Sequence, residues 1–227
     1  MVGGVYCSLW CFDFSSTKEN SRGFFSILFS YTQDKKNSVL KPKKIGVLYN
    51  YGTDENFIFD DPDYTYTTNT FKFQAFYNLG KWKNFDIELI VQPQIQFLRH
   101  KLINPSFVQP RYGDNYLELR EIYIKEKSMN LYGLEFGIAV KKQLLSKLDI
   151  QFSASLGFSY IDTTTERLAS GFTFIENFSL GFNYQTSTKT FVYVGSNFGH
   201  VSNLDFQFPN DGYNVLGIEV GFQYILD

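Results

Sequence analysis

The 227-residue chain carries 21 basic against 23 acidic residues, and at a net charge of −2 it lacks the basic excess expected of a nucleic-acid binder. Aromatic residues make up 19% of it, with 25 Phe and 16 Tyr, an excess of strand formers that argues against a helical bundle. No run approaches the ~18 apolar residues of a membrane helix, while two cysteines and two histidines are too few for a Cys/His zinc site.

From the N-terminus, residues 1–20 show no clear periodicity, and they are followed by Arg22, the apolar run GFFSILF and the polar Ser30 to Gln33. That order of basic, apolar and small residues points to an over-extended start plus a secretion signal over residues 1–32. The remainder, 33–227, is then a single domain without cysteine. A rival reading makes Phe25, Ile27, Phe29 and Tyr31 an additional strand.

From residue 44 a two-residue period is sustained. Ile45, Val47, Tyr49 and Tyr51 form the first apolar set, and Phe71 to Leu79 the second. The third runs from Phe85 to Phe97 and contains Pro93, tolerable only at a bulge or a weakly paired point. Tyr132 to Val140, Leu148 to Tyr160, and Phe172 to Tyr184 follow, the last interrupted by Glu176. A less regular seventh set spans about 190–202, and Leu216 to Leu226 closes the series.

The connections alternate in length: 54–67, 99–129, 162–169 and 203–212 are long, whereas 80–83, 142–147 and 185–189 are short. This predicts an all-β fold, an eight-stranded antiparallel transmembrane β-barrel with short periplasmic turns and longer external loops. The longest loop has a helix or strand pattern at Leu117 to Met129. The alternate parity decides which face is inside. Ser153, Ser155, Gly157 and Ser159, with Gly217, Glu219, Gly221 and Gln223, are small or polar and suit a narrow interior, leaving the large apolar set to face lipid.

The chemistry concentrates in NFGHVSNLDFQFPNDGYN, residues 197–214. His200 and Ser202 share one face of a strand, their Cβ atoms ~7 Å apart. If the 203–212 loop closes a hairpin, Asn214 comes beside His200. A base, a hydroxyl and an orienting amide would thereby converge as in nucleophilic catalysis. Pairing through the 185–189 turn sets Glu176 across from Phe198 and diagonal to His200, where its carboxylate could orient or charge the imidazole. A bulge there would turn it inward instead.

The string H-x-S-N at His200 to Asn203, followed by P-N-x-G-x-N at Pro209 to Asn214, resembles the lipid A 3-O-deacylase family and its acyloxyacyl-hydrolase-like relatives. The resemblance extends from residue 44 to the C-terminus and includes TERLASGF at 165–172. It implies an outer-membrane barrel that hydrolyses an acyl ester of lipid A in lipopolysaccharide, among outer-membrane lipids, with a Ser-His-Glu triad and no cofactor or metal. His200 would be the general base and Ser202 the nucleophile, with the backbone around Asn203 and Asp205 forming an oxyanion hole. Asn214 stands where the family has its glutamate. An amide can hold the imidazole tautomer but cannot offset imidazolium charge.

Arg99, Lys101, Arg111 and Arg167 lie in or near the external loops and could contact lipid A phosphates. His100, beside the longest loop, is expected to be solvated, and so is the acidic loop of Asp54, Glu55, Asp60, Asp61 and Asp63. Two other readings remain open from the residues: a non-catalytic barrel serving as scaffold or adhesin, and a soluble lipocalin-like binder with an apolar cavity.

Overall fold

In a computed structural model, the described residues are 41–53 and 61–226. The proposed signal segment, its rival strand and residues 54–60 of the acidic loop lie outside them. Eight strands follow one another around a closed antiparallel barrel: β1 (Lys44–Thr53), β2 (Tyr64–Trp82), β3 (Phe85–Leu102), β4 (Lys127–Leu145), β5 (Leu148–Ile161), β6 (Gly171–Gln185), β7 (Thr190–Ser202) and β8 (Tyr213–Ile225). Pairing of β1 with β8 as well as β2 leaves no open strand edge in this ring, which is what a sheet in hydrocarbon requires. One helix, α1 (Tyr116–Tyr123), lies in the loop between β3 and β4.

Alternation of side chains partitions the sheet into two chemistries. Val47, Phe73, Phe136, Phe152, Leu180 and Phe222 are among the many large apolar residues exposed on the outer wall. So extensive an apolar surface is untenable in water and natural against lipid. The inward parity carries Lys44, Lys72, Gln92, Glu135, Gln151 and Glu219, all buried. Glu135, at 0% exposure, accepts from Gln92 Nε2 at 3.1 Å, Ser155 Oγ at 2.5 Å and Asn177 Nδ2 at 2.9 Å. Lys72 meets Glu219 at 3.4 Å, and Glu88 is shared by Lys44 at 3.2 Å and Lys141 at 3.0 Å. Charges in a filled lumen survive because they are paired and hydrogen-bonded. A polar, occupied interior leaves no room for the lipocalin-like reading.

Local irregularities have local causes. The β2–β3 register holds from Lys72↔Gln94 to Ala75↔Val91 but omits the pairs opposite Pro93 and Gln92, as expected where proline offers no N–H. Two expectations require correction, and the open choice in the longest loop is decided. Strand β2 begins at Tyr64, not 68, and β4 at Lys127, so barrel wall extends into what was assigned to loop. The 116–123 part of the longest loop is helical, and the strand follows it. His100 is not solvated: β3 continues to Leu102, its even residues point inward, and His100 is 2% exposed among Tyr64 and Glu166.

Candidate active site

Strand β7 ends and β8 begins at the loop opposite the short turns, and their hairpin register pairs His200 with Asn214. Both side chains lie on the outer parity, half-buried, and His200 Nδ1 lies 2.7 Å from Asn214 Oδ1. An amide oxygen in that position accepts from Nδ1–H, which leaves Nε2 with its lone pair free. Ser202, two residues on, shares the outer face and is half-buried. It makes no hydrogen bond to His200, as is common before a substrate tightens the arrangement.

Glu176 also faces outward, but its position differs from expectation. Strands β6 and β7 are joined by residues 186–189, with Gln185 opposite Phe191, so the register advances by two and Glu176 pairs with His200 itself instead of Phe198. Pairing is unbroken on both sides of Glu176, which excludes the inward bulge. Its carboxylate is exposed and forms no ion pair with any described residue. His200 thus has Asn214 on one flank and Glu176 on the other, at one level of the wall.

Apolar side chains surround this polar patch. Leu156 pairs with Glu176 from β5 and is 63% exposed. Phe174 stands opposite Ser202 and packs edge-on against Phe172 at 4.9 Å and near Phe206 at 6.2 Å. Phe206, in the loop after Ser202, is 69% exposed. A carboxylate, an imidazole, a hydroxyl and an amide gathered on an otherwise apolar, lipid-facing surface are costly to keep there unless they act on something.

The loop places the remaining candidates differently from one another. Asn203 is buried, its backbone N–H donates to Asn210 Oδ1 at 2.7 Å, and its Nδ2 donates to the Gln207 carbonyl at 2.9 Å, so it holds the loop's shape. Asp205 has φ 61° in an exposed stretch, and its carboxylate accepts from Asn210 Nδ2 at 3.0 Å. Asn210 therefore bridges the two candidates for the oxyanion hole. Its place in P-N-x-G-x-N was a signal of this role, to which the strand pattern alone is blind. Gly212 is the other residue not singled out. With φ +64° it adopts the left-handed region, and a Cβ there would lie 3.2 Å from His200 Cε1 and 3.5 Å from Ser202 Cβ.

The basic candidates separate. Arg167 is turned inward, 14% exposed, with its guanidinium 2.5 Å from Asp61 and stacked 4.9 Å over Tyr64. Arg99 and Lys101 project from β3, four strands from β7 in either direction around the ring. Arg111 is exposed in the loop between β3 and β4. No cluster of three metal-ligating side chains occurs among the described residues.

Comparison with known proteins adds a family. The family model described as lipid A 3-O-deacylase (PagL) matches residues 48–223. Among solved structures, the outer membrane enzyme PagL is similar with a TM-score of 0.52 at 10% identity, covering 80% of this chain and 99% of that one. Neisserial surface protein A (NspA) is similar with a TM-score of 0.46 at 9% identity, covering 81% and 97%. No curated protein sequence matches.

Proposed function

Because the chain belongs to the lipid A 3-O-deacylase (PagL) family, we propose that it removes an ester-linked acyl chain from lipid A by a serine–histidine mechanism. It is a barrel of the bacterial outer membrane. The observation that carries the mechanism is the 2.7 Å contact of His200 Nδ1 with Asn214, which leaves the other ring nitrogen for Ser202 on the same outward face.

Ser202 Oγ attacks the ester carbonyl while His200 Nε2 takes its proton. The backbone N–H of Asp205 donates to the oxyanion, and Asn203 keeps the loop in shape for it. Collapse of the tetrahedral intermediate breaks the ester C–O bond, and the imidazolium returns its proton to the sugar oxygen. A water molecule, deprotonated by His200, then cleaves the acyl-serine and releases the fatty acid. Asn214 fixes the tautomer, and Glu176 supplies the negative charge that an amide lacks. Both are positioning residues: neither touches the reacting atoms.

The test is mass spectrometry of lipid A after incubation with detergent-purified protein, beside Ser202→Ala. Loss of one acyl chain with the wild type alone is expected. Intact lipid A and intact simple esters in both samples, with the barrel folded, would leave the scaffold reading in its place.

A further inference from the structure

The loop between β3 and β4 reaches across to the loop that bears the reactive groups. Its contact is Tyr112, whose ring packs edge-on against Phe208 at 4.8 Å and whose hydroxyl donates to the Glu166 carbonyl at 3.0 Å and lies 3.4 Å from Asp211 Oδ2. Asp211 and Gly212 both donate their N–H groups to the Arg167 carbonyl, at 2.7 Å and 3.2 Å. Gly212 is the residue that abuts His200 and Ser202. Three external loops are therefore tied together one residue from the reactive pair.

Arg111 is the neighbour of that anchor. Its guanidinium sits 5.6 Å from the Tyr112 ring and 5.8 Å from the Phe208 ring. No carboxylate pairs with it among the described residues, although it is exposed. Of the other cations on this side of the barrel, Arg167 is engaged with Asp61, Lys127 with the Tyr123 carbonyl and Glu166, and Arg120 with the Val108 carbonyl, whereas the exposed Arg99, Lys101 and Lys125 lack, among the described residues, the aromatic neighbours that Arg111 has. Lying beside two aromatic rings, the guanidinium is partly restrained and keeps N–H groups that can meet an anion in a bidentate manner.

We infer that Arg111 reads the headgroup of the substrate, binding a phosphate of the glycolipid whose ester Ser202 attacks. The inference rests on the deacylase reading above and names the feature of the substrate that the site recognises.

The experiment compares bisphosphorylated lipid A with its dephosphorylated form in neutral-detergent micelles. In a Ser202→Ala background, the phosphorylated lipid should bind about tenfold more tightly, the strength of a charge-assisted hydrogen bond. Adding Arg111→Ala should erase that preference, and Arg111→Lys, which keeps charge but loses the fork, should restore part of it. In the active enzyme, Arg111→Ala should raise KM for the phosphorylated lipid, leave kcat within about twofold, and not alter hydrolysis of a neutral short-chain ester. An undiminished preference for the phosphorylated lipid in the double variant overturns the inference. So does a loss that appears only after phosphatidylglycerol is added to the micelles, which would make a neighbouring lipid the source of phosphate. Failure of the wild type to hydrolyse any ester would sink the deacylase reading, while the binding comparison would still decide the role of Arg111.

Discussion

Glu135 and Glu176 are two carboxylates in the same wall, and their surroundings differ in every respect. Glu135 points into the lumen, fully buried, and is gripped by three donors from β3, β5 and β6. Glu176 points into the lipid belt, exposed, with an imidazole opposite it and no ion pair among the described residues. A buried charge held through one oxygen by three donors serves the fold, whereas a charge left underused on an apolar surface is available for chemistry.

The comparison is broken most severely by removing the proposed nucleophile. Ser202→Ala should lower kcat by roughly 10³-fold or more while the barrel keeps its folded mobility on unheated gels. Glu135→Leu should do the reverse, destabilising by roughly 3 kcal/mol in urea unfolding from detergent because Asn177, Gln92 and Ser155 lose a shared acceptor. Its activity per folded molecule should be unchanged.

Glu176→Gln sharpens the contrast. Loss of one charge opposite the imidazolium should lower kcat about tenfold. Asn214→Glu, which restores a carboxylate on the other flank, should recover much of that loss. Equal rates for wild type and Glu176→Gln would remove Glu176 from the mechanism.

The smallest effect belongs to Asp162, in the external loop after β5. Its slight burial is outweighed by hydrogen bonds from the N–H and Nδ2 of Asn130 and from Thr163 Oγ1, which hold the carboxyl below its usual range. A depressed carboxyl contributes stability above its unfolded value that disappears as pH falls through the folded one. At this exposed position the contribution is a few tenths of a kcal/mol after screening. Asp162→Ala should therefore slightly flatten the loss of stability on acidification and leave activity intact.

What was legible in the sequence follows from which interactions are local. The His200–Asn214 pairing was visible because one hairpin loop connects the two strands and sets their register. The partner of Glu176 differs by two residues from the sequence expectation because its register depends on the length of the turn at 186–189, which apolar periodicity does not specify. The inward turn of His100 could have been seen in Leu98 and Leu102, which share its parity, but its apolar partners on β2 come from a distant segment. The three donors of Glu135 sit on three strands, and no spacing along the chain announces such a constellation. Arg167 was grouped with the solvent-facing cations because its ion-pair partner, Asp61, lies more than a hundred residues away.

The polar patch interrupts the outer wall of a closed ring, whose lumen is filled and has no lateral opening. If Ser202 and His200 act as proposed, substrate meets them by sliding within the leaflet, and the acyl chain need never leave hydrocarbon. The relevant concentration is then a mole fraction in a two-dimensional film. Inert lipid or detergent mixed into that film slows the reaction even when the bulk molarity of substrate is held constant.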